Sequence, residues 1–165
     1  MFWIVHQIVL SVHILLGITW VGGILFVGWG VFPAAEKLDY ISRQRFLISL
    51  MQGVHHLFTL VGSGVIVTGV LLGTVLGPVR QLDSMFHSAY GHNLLMAFTV
   101  GVLTLLWGVF VSYRFSMKVL THQTLWRMAE NGYPRLLKNA MRSVAIVSGV
   151  EVLGFLGLVA IMLSF

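Results

Sequence analysis

Residues 11–23 read SVHILLGITWVGG and place one ionisable side chain, His13, inside an otherwise apolar run. The run extends from Met1 to Ala35, which exceeds the roughly 20 helical residues that cross a hydrocarbon core of about 30 Å. An ionisable side chain is expensive to bury in lipid, and such residues usually face the protein interior with a partner. This stretch therefore predicts a membrane-spanning helix with His13 on its inward face.

The whole chain shares this apolar character. Its 165 residues are 58% hydrophobic and only 9% charged, whereas soluble domains are about 25% charged. Four runs are long enough to span a bilayer, at about 1–35, 42–76, 87–115 and 135–165. We therefore predict an all-α integral membrane protein in which residues 1–165 form a single four-helix transmembrane domain. The first run lacks the basic n-region and cleavage site of a signal peptide and is predicted to stay as span one.

The loops differ in basic charge. Of the 10 Lys and Arg residues, all except Arg80 lie in the first and third loops or the helix ends beside them. Because cytoplasmic loops carry the excess of Lys and Arg, both termini are predicted to be extracytoplasmic. The long loop between Arg114 and Lys138 would then face the cytoplasm of a bacterial-type inner (plasma) membrane. Contact with the lipid bilayer accounts for the net charge of +5, so no nucleic-acid partner is expected.

The chain contains no cysteine, which excludes disulfides, iron–sulfur ligation and the covalent attachment of a c-type haem. It also lacks a nucleophile elbow, a P-loop and a dinucleotide fingerprint. Any haem would be bound non-covalently, and any soft-metal site would use His or Met. The candidate chemistry therefore depends on the histidines within the spans.

Two pairs of segments repeat. HILLGITWVG, which starts at His13, aligns with HNLLMAFTVG, which starts at His92, 79 residues later. SGVIVTGVL, from Ser63, aligns with SGVEVLGFL, from Ser148, 85 residues later. These similar offsets predict a duplicated helical hairpin in which spans one and three run parallel. His13 and His92 would then lie at similar depth and approach one metal from opposite sides, or form a hydrogen bond across helices as neutral imidazoles.

Other polar residues of the spans extend this site or form a second one. His6 lies two helical turns before His13 on nearly the same face, where it could be a second ligand, a proton relay or an interfacial residue. His55 and His56 point about 100° apart, so only one can face the bundle axis and ligate a second haem. Glu151 is predicted to be protonated or paired, as a proton relay or in an interhelical hydrogen bond.

The order of motifs resembles a known group of membrane proteins. His13 stands seven residues before the Trp20–Gly23 stretch WVGG, the second span contains Val67-Thr68-Gly69, and His92 lies early in the third span. Over about residues 10–115 the chain resembles the copper-resistance protein D (CopD) superfamily and its relative, the HemJ-type protoporphyrinogen oxidase. The HemJ resemblance implies a b-type haem bound by His13 and His92, although Leu94 stands where that family tends to carry a lysine. The CopD resemblance implies copper passage.

Taken together, the sequence predicts a b-type haem-binding membrane protein that carries out electron transfer or redox chemistry, with haem b held by His13 and His92. It would exchange electrons with quinone, a redox partner protein or an outer-side substrate, as a homo-oligomer or as part of a larger complex. A haem-dependent oxidoreductase such as a HemJ-like protoporphyrinogen oxidase, a CopD-type copper transporter and a purely structural subunit are the alternatives. In the copper alternative, an outer relay would comprise His6, His13, Met85, His87 and His92.

Overall fold

A computed structural model of the protein describes residues 2–78 and 86–164. Within these ranges the chain is helical and contains no strand. Four helices are long and apolar enough to cross a membrane, which confirms the predicted all-helical membrane fold. The helices are α1 (Phe2–Ala35), α2 (Tyr40–Gly73), α3 (Ala89–Leu120), α4 (Gln123–Glu130) and α5 (Arg135–Met162).

The helix starts follow from local capping. The Asp39 side chain accepts a hydrogen bond from the Ser42 backbone N–H at 3.0 Å, and α2 therefore begins at Tyr40. The same hydrogen bonding lowers the pKa of the Asp39 carboxyl, because it favours the charged form. Ser88 caps α3 in the same way by accepting from the Gly91 N–H at 3.0 Å.

The four long helices pack as two hairpins. α1 lies along α2 and α3 lies along α5, while the hairpins meet mainly through α2 and α3 and α1 barely touches α5. α1 and α3 are therefore diagonal in the bundle. Glycines permit the close approaches, because a residue without a side chain lets the backbones of two membrane helices come together. A Cβ atom at Gly62 would lie only 2.8 Å from the Trp20 ring and 2.8 Å from Leu105.

Both α1 and α3 contain a π-helical segment, Val27–Val31 and Trp107–Ser112 respectively. In each, a backbone N–H reaches five residues back, from Phe32 to the Val27 carbonyl and from Tyr113 to the Gly108 carbonyl. The segments start 80 residues apart, close to the 79-residue offset of the repeated histidines. π-Helical turns are rare in proteins as a whole, but those that occur are often found at functional sites.

One end of the bundle, which we call the loop end, carries the connections 36–39 and 121–134; we call the opposite end the terminal end. The short helix α4 closes the loop end. Its Trp126 and Ala129 side chains are buried against Leu47 of α2 and Leu137 of α5. α4 is amphipathic, and its apolar face packs on the bundle.

Candidate cofactor-binding site

Two cavities lie between the long helices. The terminal-end cavity measures about 240 Å³ and is bordered by His13, Gly69, Tyr90, Leu94, Gly101 and Met162 among others. The loop-end cavity measures about 120 Å³ and is bordered by His55, Phe58, Ser112, Ser116, Ser148 and Glu151 among others. Trp20 borders both cavities. Its ring is 3% exposed and meets the Phe155 ring edge to face at 5.0 Å, so it separates the two spaces.

The His13 ring is oriented by α2. Its Nδ1 atom lies 2.8 Å from the Thr68 Oγ1 atom. That Oγ1 atom also lies 2.7 Å from the Gly64 carbonyl oxygen, a distance at which two oxygens need a proton between them, and the hydroxyl has the only one. Thr68 therefore donates to Gly64 and accepts from Nδ1–H of His13. The Nε2 atom of His13 keeps its lone pair, which is the state of a metal-ligating imidazole.

Gly69, the next residue, provides the space that this ring occupies. A Cβ atom at position 69 would lie 3.1 Å from the His13 Cε1 atom, closer than packed side chains normally come. Thr68 and Gly69 thus act together, because the hydroxyl orients the imidazole and the glycine leaves room for it. In this structure, the Val67-Thr68-Gly69 motif therefore positions the His13 ring.

His92 occupies a different environment. Its side chain is exposed and its Nδ1 atom lies 2.9 Å from the Ser88 carbonyl oxygen. α3 faces the terminal-end cavity with Tyr90, Leu94 and Gly101, and His92 is two residues from both Tyr90 and Leu94, about 200° around the helix. The structure therefore does not bring His92 to the cavity that contains His13. The pairing of these two histidines on one iron stays a prediction.

The remaining candidate histidines are distributed along the bundle. His6 is half-buried near the start of α1 and does not border either cavity. His56 and His87 are exposed and also lie outside both cavity walls. Met85 lies outside the described residues. Within residues 2–78 and 86–164, no group of three or more His, Asp or Glu side chains is placed to hold a metal ion.

The loop-end cavity has the more polar wall. His55 stacks on the Tyr113 ring at 3.7 Å between centroids and 13° between planes, so His55 rather than His56 faces the interior. Glu151 is 8% exposed. Its carboxyl group lies against Gly108, where a Cβ atom would be 3.2 Å from the Glu151 carboxyl carbon.

Three serines of this cavity did not stand out in the sequence. The Ser112 and Ser148 Oγ atoms are 3.0 Å apart and join α3 to α5, and Ser116 lies one turn after Ser112. The spacing Gly108, Ser112 and Ser116 places small and polar residues on one helical face. That spacing is the sequence feature that could have identified these serines. Both π-helical segments border the same cavity, through Gly28 of α1 and Gly108 of α3 among others.

The site therefore offers one oriented imidazole with a free Nε2 atom in an apolar cavity, and a second, polar cavity beyond the Trp20 ring. The resemblance over residues 10–115 stays a prediction. No protein-family model, no curated protein and no solved structure matches the chain.

Proposed function

We propose that the protein is a b-type haem-binding membrane protein that transfers electrons, with His13 as an axial ligand. The observation that carries this proposal is the hydrogen bond from His13 Nδ1–H to Thr68, at 2.8 Å between heavy atoms. A histidine that ligates a metal through one nitrogen almost always donates its other N–H to a neighbouring acceptor, which fixes the ring and its tautomer. His13 already has this arrangement.

The terminal-end cavity is mostly apolar, which suits a haem macrocycle, and at about 240 Å³ it must widen to hold one. Gly69, Gly73 and Gly101 border it from two helices, and the Leu94 side chain fills the space beside Gly73, where a Cβ atom would lie 2.5 Å from it. Met162 borders the same cavity and adds a thioether, which is the second common partner of histidine on haem iron. Haem b supplies one-electron exchange when bound. The residues of the chain hold the imidazole in place and exclude water from the site.

We also propose that the two hairpins are a duplication and that both termini are extracytoplasmic. The pairing of α1 with α2 and of α3 with α5 supports the duplication, as do the π-helical segments in α1 and α3. The basic residues near the loop end support the orientation. The proposed haem would then lie nearer the outer face.

The orientation has a direct test, because the chain has no cysteine and single cysteines report without background. Val75→Cys, at the terminal end, is expected to react with a membrane-impermeant maleimide in intact cells. Lys37→Cys, at the loop end, is expected to react only after permeabilisation. The reverse pattern would show that the termini are cytoplasmic.

The function itself is tested by purifying the whole chain in detergent and recording its absorption spectrum and metal content. We expect a Soret band that shifts on reduction with dithionite, and about one haem per chain as the proposal requires. A colourless protein with stoichiometric copper would favour CopD-type copper transport instead. A protein with neither metal would favour the structural alternative. Turnover of protoporphyrinogen by the haem-loaded protein would favour the HemJ-like alternative.

The role of Thr68 gives a sharper prediction. Thr68→Val keeps the shape of the side chain but removes the acceptor for Nδ1–H, and such changes around a metal-ligating histidine weaken binding by about 10- to 100-fold. Thr68→Ser keeps the hydroxyl and is expected to bind haem normally. Haem titration of the two purified variants measures the difference. Equal affinities would show that Thr68 does not orient a ligand.

A further inference from the structure

The serines of the loop-end cavity break a pattern that eight other hydroxyls follow. Eight Ser or Thr hydroxyls donate to the backbone carbonyl four residues earlier, Thr59 and Thr104 at this cavity among them. Ser112 and Ser148 instead meet each other. The Ser116 Oγ atom is buried and has no hydrogen-bond partner in the described part of the chain, and the residue is 1% exposed.

A buried hydroxyl without a partner is unfavourable, and native proteins rarely keep one unless something else satisfies it. Ser116 borders the loop-end cavity, so a ligand in that cavity can accept its hydrogen bond. Ser116 lies three residues, nearly one turn, after Tyr113 on the same face of α3, and the His55 ring stacks on Tyr113. One polar wall of the cavity thus consists of Ser116 and His55.

A second polar wall lies deeper in the bundle. Glu151 lies against Gly108, eight residues before Ser116 along α3, which is roughly two turns of the helix. The paired Ser112 and Ser148 hydroxyls belong to this inner wall. The cavity therefore presents polar groups at two levels along α3.

The space between the two walls is apolar and of limited size. Trp20 and Phe58 line it, and its volume of about 120 Å³ is close to the roughly 150 Å³ of an apolar cavity known to accept benzene. A single six-membered ring is therefore the scale of ligand that fits. Because α1 and α5 make few contacts apart from that between Trp20 and Phe155, a ligand dissolved in the bilayer can enter sideways between these helices on the loop-end side of Trp20.

We propose that the loop-end cavity binds the head group of a quinone. One carbonyl oxygen of the ring would accept from Ser116 and His55, and the other would accept from the protonated carboxyl of Glu151. The aromatic walls would enclose the ring, and its lipid tail would leave between α1 and α5. This inference rests on the proposed electron transfer and gives the predicted quinone partner a binding site, but binding itself does not require haem.

The test uses the purified full chain and a short-chain azidoquinone that forms covalent adducts on illumination. Adducts mapped by mass spectrometry are expected within 51–59 and 104–116, the segments that border the cavity. Ser116→Ala should raise the half-saturating concentration by about five- to tenfold, the effect of one lost hydrogen bond. Ser143→Ala is the matched control, because its hydroxyl is exposed and donates to the Asn139 carbonyl of its own helix.

His55→Phe is the second variant. It keeps a ring to stack on Tyr113 but removes both nitrogens, and it should weaken labelling to a similar degree while the protein stays monodisperse. Labelling spread evenly over the spans, or unchanged half-saturation in both variants, would overturn the proposal.

The haem spectrum of the same samples separates the two proposals. His13→Ala, without haem, should still be labelled in the loop-end cavity. Normal labelling of a wild-type protein that contains no haem would overturn the electron-transfer function alone. Normal haem without labelling of the cavity segments would overturn the quinone site alone.

Discussion

His13→Ala protein, purified in detergent, is expected to retain less than about one tenth of the haem bound by the unaltered chain. The reason is that His13 is the imidazole at the terminal-end cavity, with its Nδ1–H held by Thr68, and loss of an axial ligand removes the bond that anchors a non-covalent haem. The measurement is the reduced-minus-oxidised spectrum per mole of protein. Unchanged haem content in this variant would contradict the proposed site.

Two further histidine variants complete this experiment. His122→Ala changes an exposed imidazole in the loop before α4 and should leave haem binding intact. His92→Ala is expected to retain most of its haem, because the ring points away from the cavity that contains His13. If it instead loses as much haem as His13→Ala, then α3 must rotate to present His92 when the cofactor binds, and the pair predicted from the sequence is correct.

The second large effect is expected at Gly62→Ala. A methyl group there would lie 2.8 Å from both the Trp20 ring and the Leu105 side chain. Trp20 cannot move freely, because it is buried against Phe155. Such overpacking costs about 1–3 kcal/mol of unfolding free energy. The expected fall in Tm in detergent is roughly 2–4 °C for each kcal/mol in a chain of this size.

Gly149→Ala is the matched control for this change. It lies within a long helix as Gly62 does, but no atom lies within 4 Å of the added Cβ. Since alanine favours helix over glycine by about 1 kcal/mol, this variant should be as stable as the original or more stable. Equal Tm values for the two variants would mean that contact at Gly62 does not hold Trp20 in place.

The sequence was sufficient for the features that depend on position along the chain. Hydrophobic length is a linear property, so the four spans could be read directly, with the second predicted at 42–76 and found at Tyr40–Gly73. The 100° step between His55 and His56 likewise required only one of them to face inward, and it is His55 that stacks on Tyr113. The cost of burying a histidine in lipid likewise predicted that His13 faces inward, and its ring does contact Thr68 of α2.

The sequence did not predict how each helix is rotated about its own axis. A span that is apolar on all sides carries little periodic signal, so nothing in HNLLMAFTVG indicates which residues of α3 turn toward the axis. The rotation follows instead from the close contacts of small residues, such as Gly73 against Leu94, and these contacts exclude His92 from the cavity. The same packing brings Ser112 of α3 to Ser148 of α5. The spacing of these residues along the chain does not predict that contact.

The amino-acid sequence thus determined by itself that this chain is a membrane protein with four helical spans and a histidine in the first. Tertiary structure alone decided that Thr68 orients that histidine, that Trp20 separates two cavities, and that His92 lies outside both. The physical reason is that burial in lipid depends on composition along one helix, whereas the direction of a side chain depends on which glycines let neighbouring helices approach.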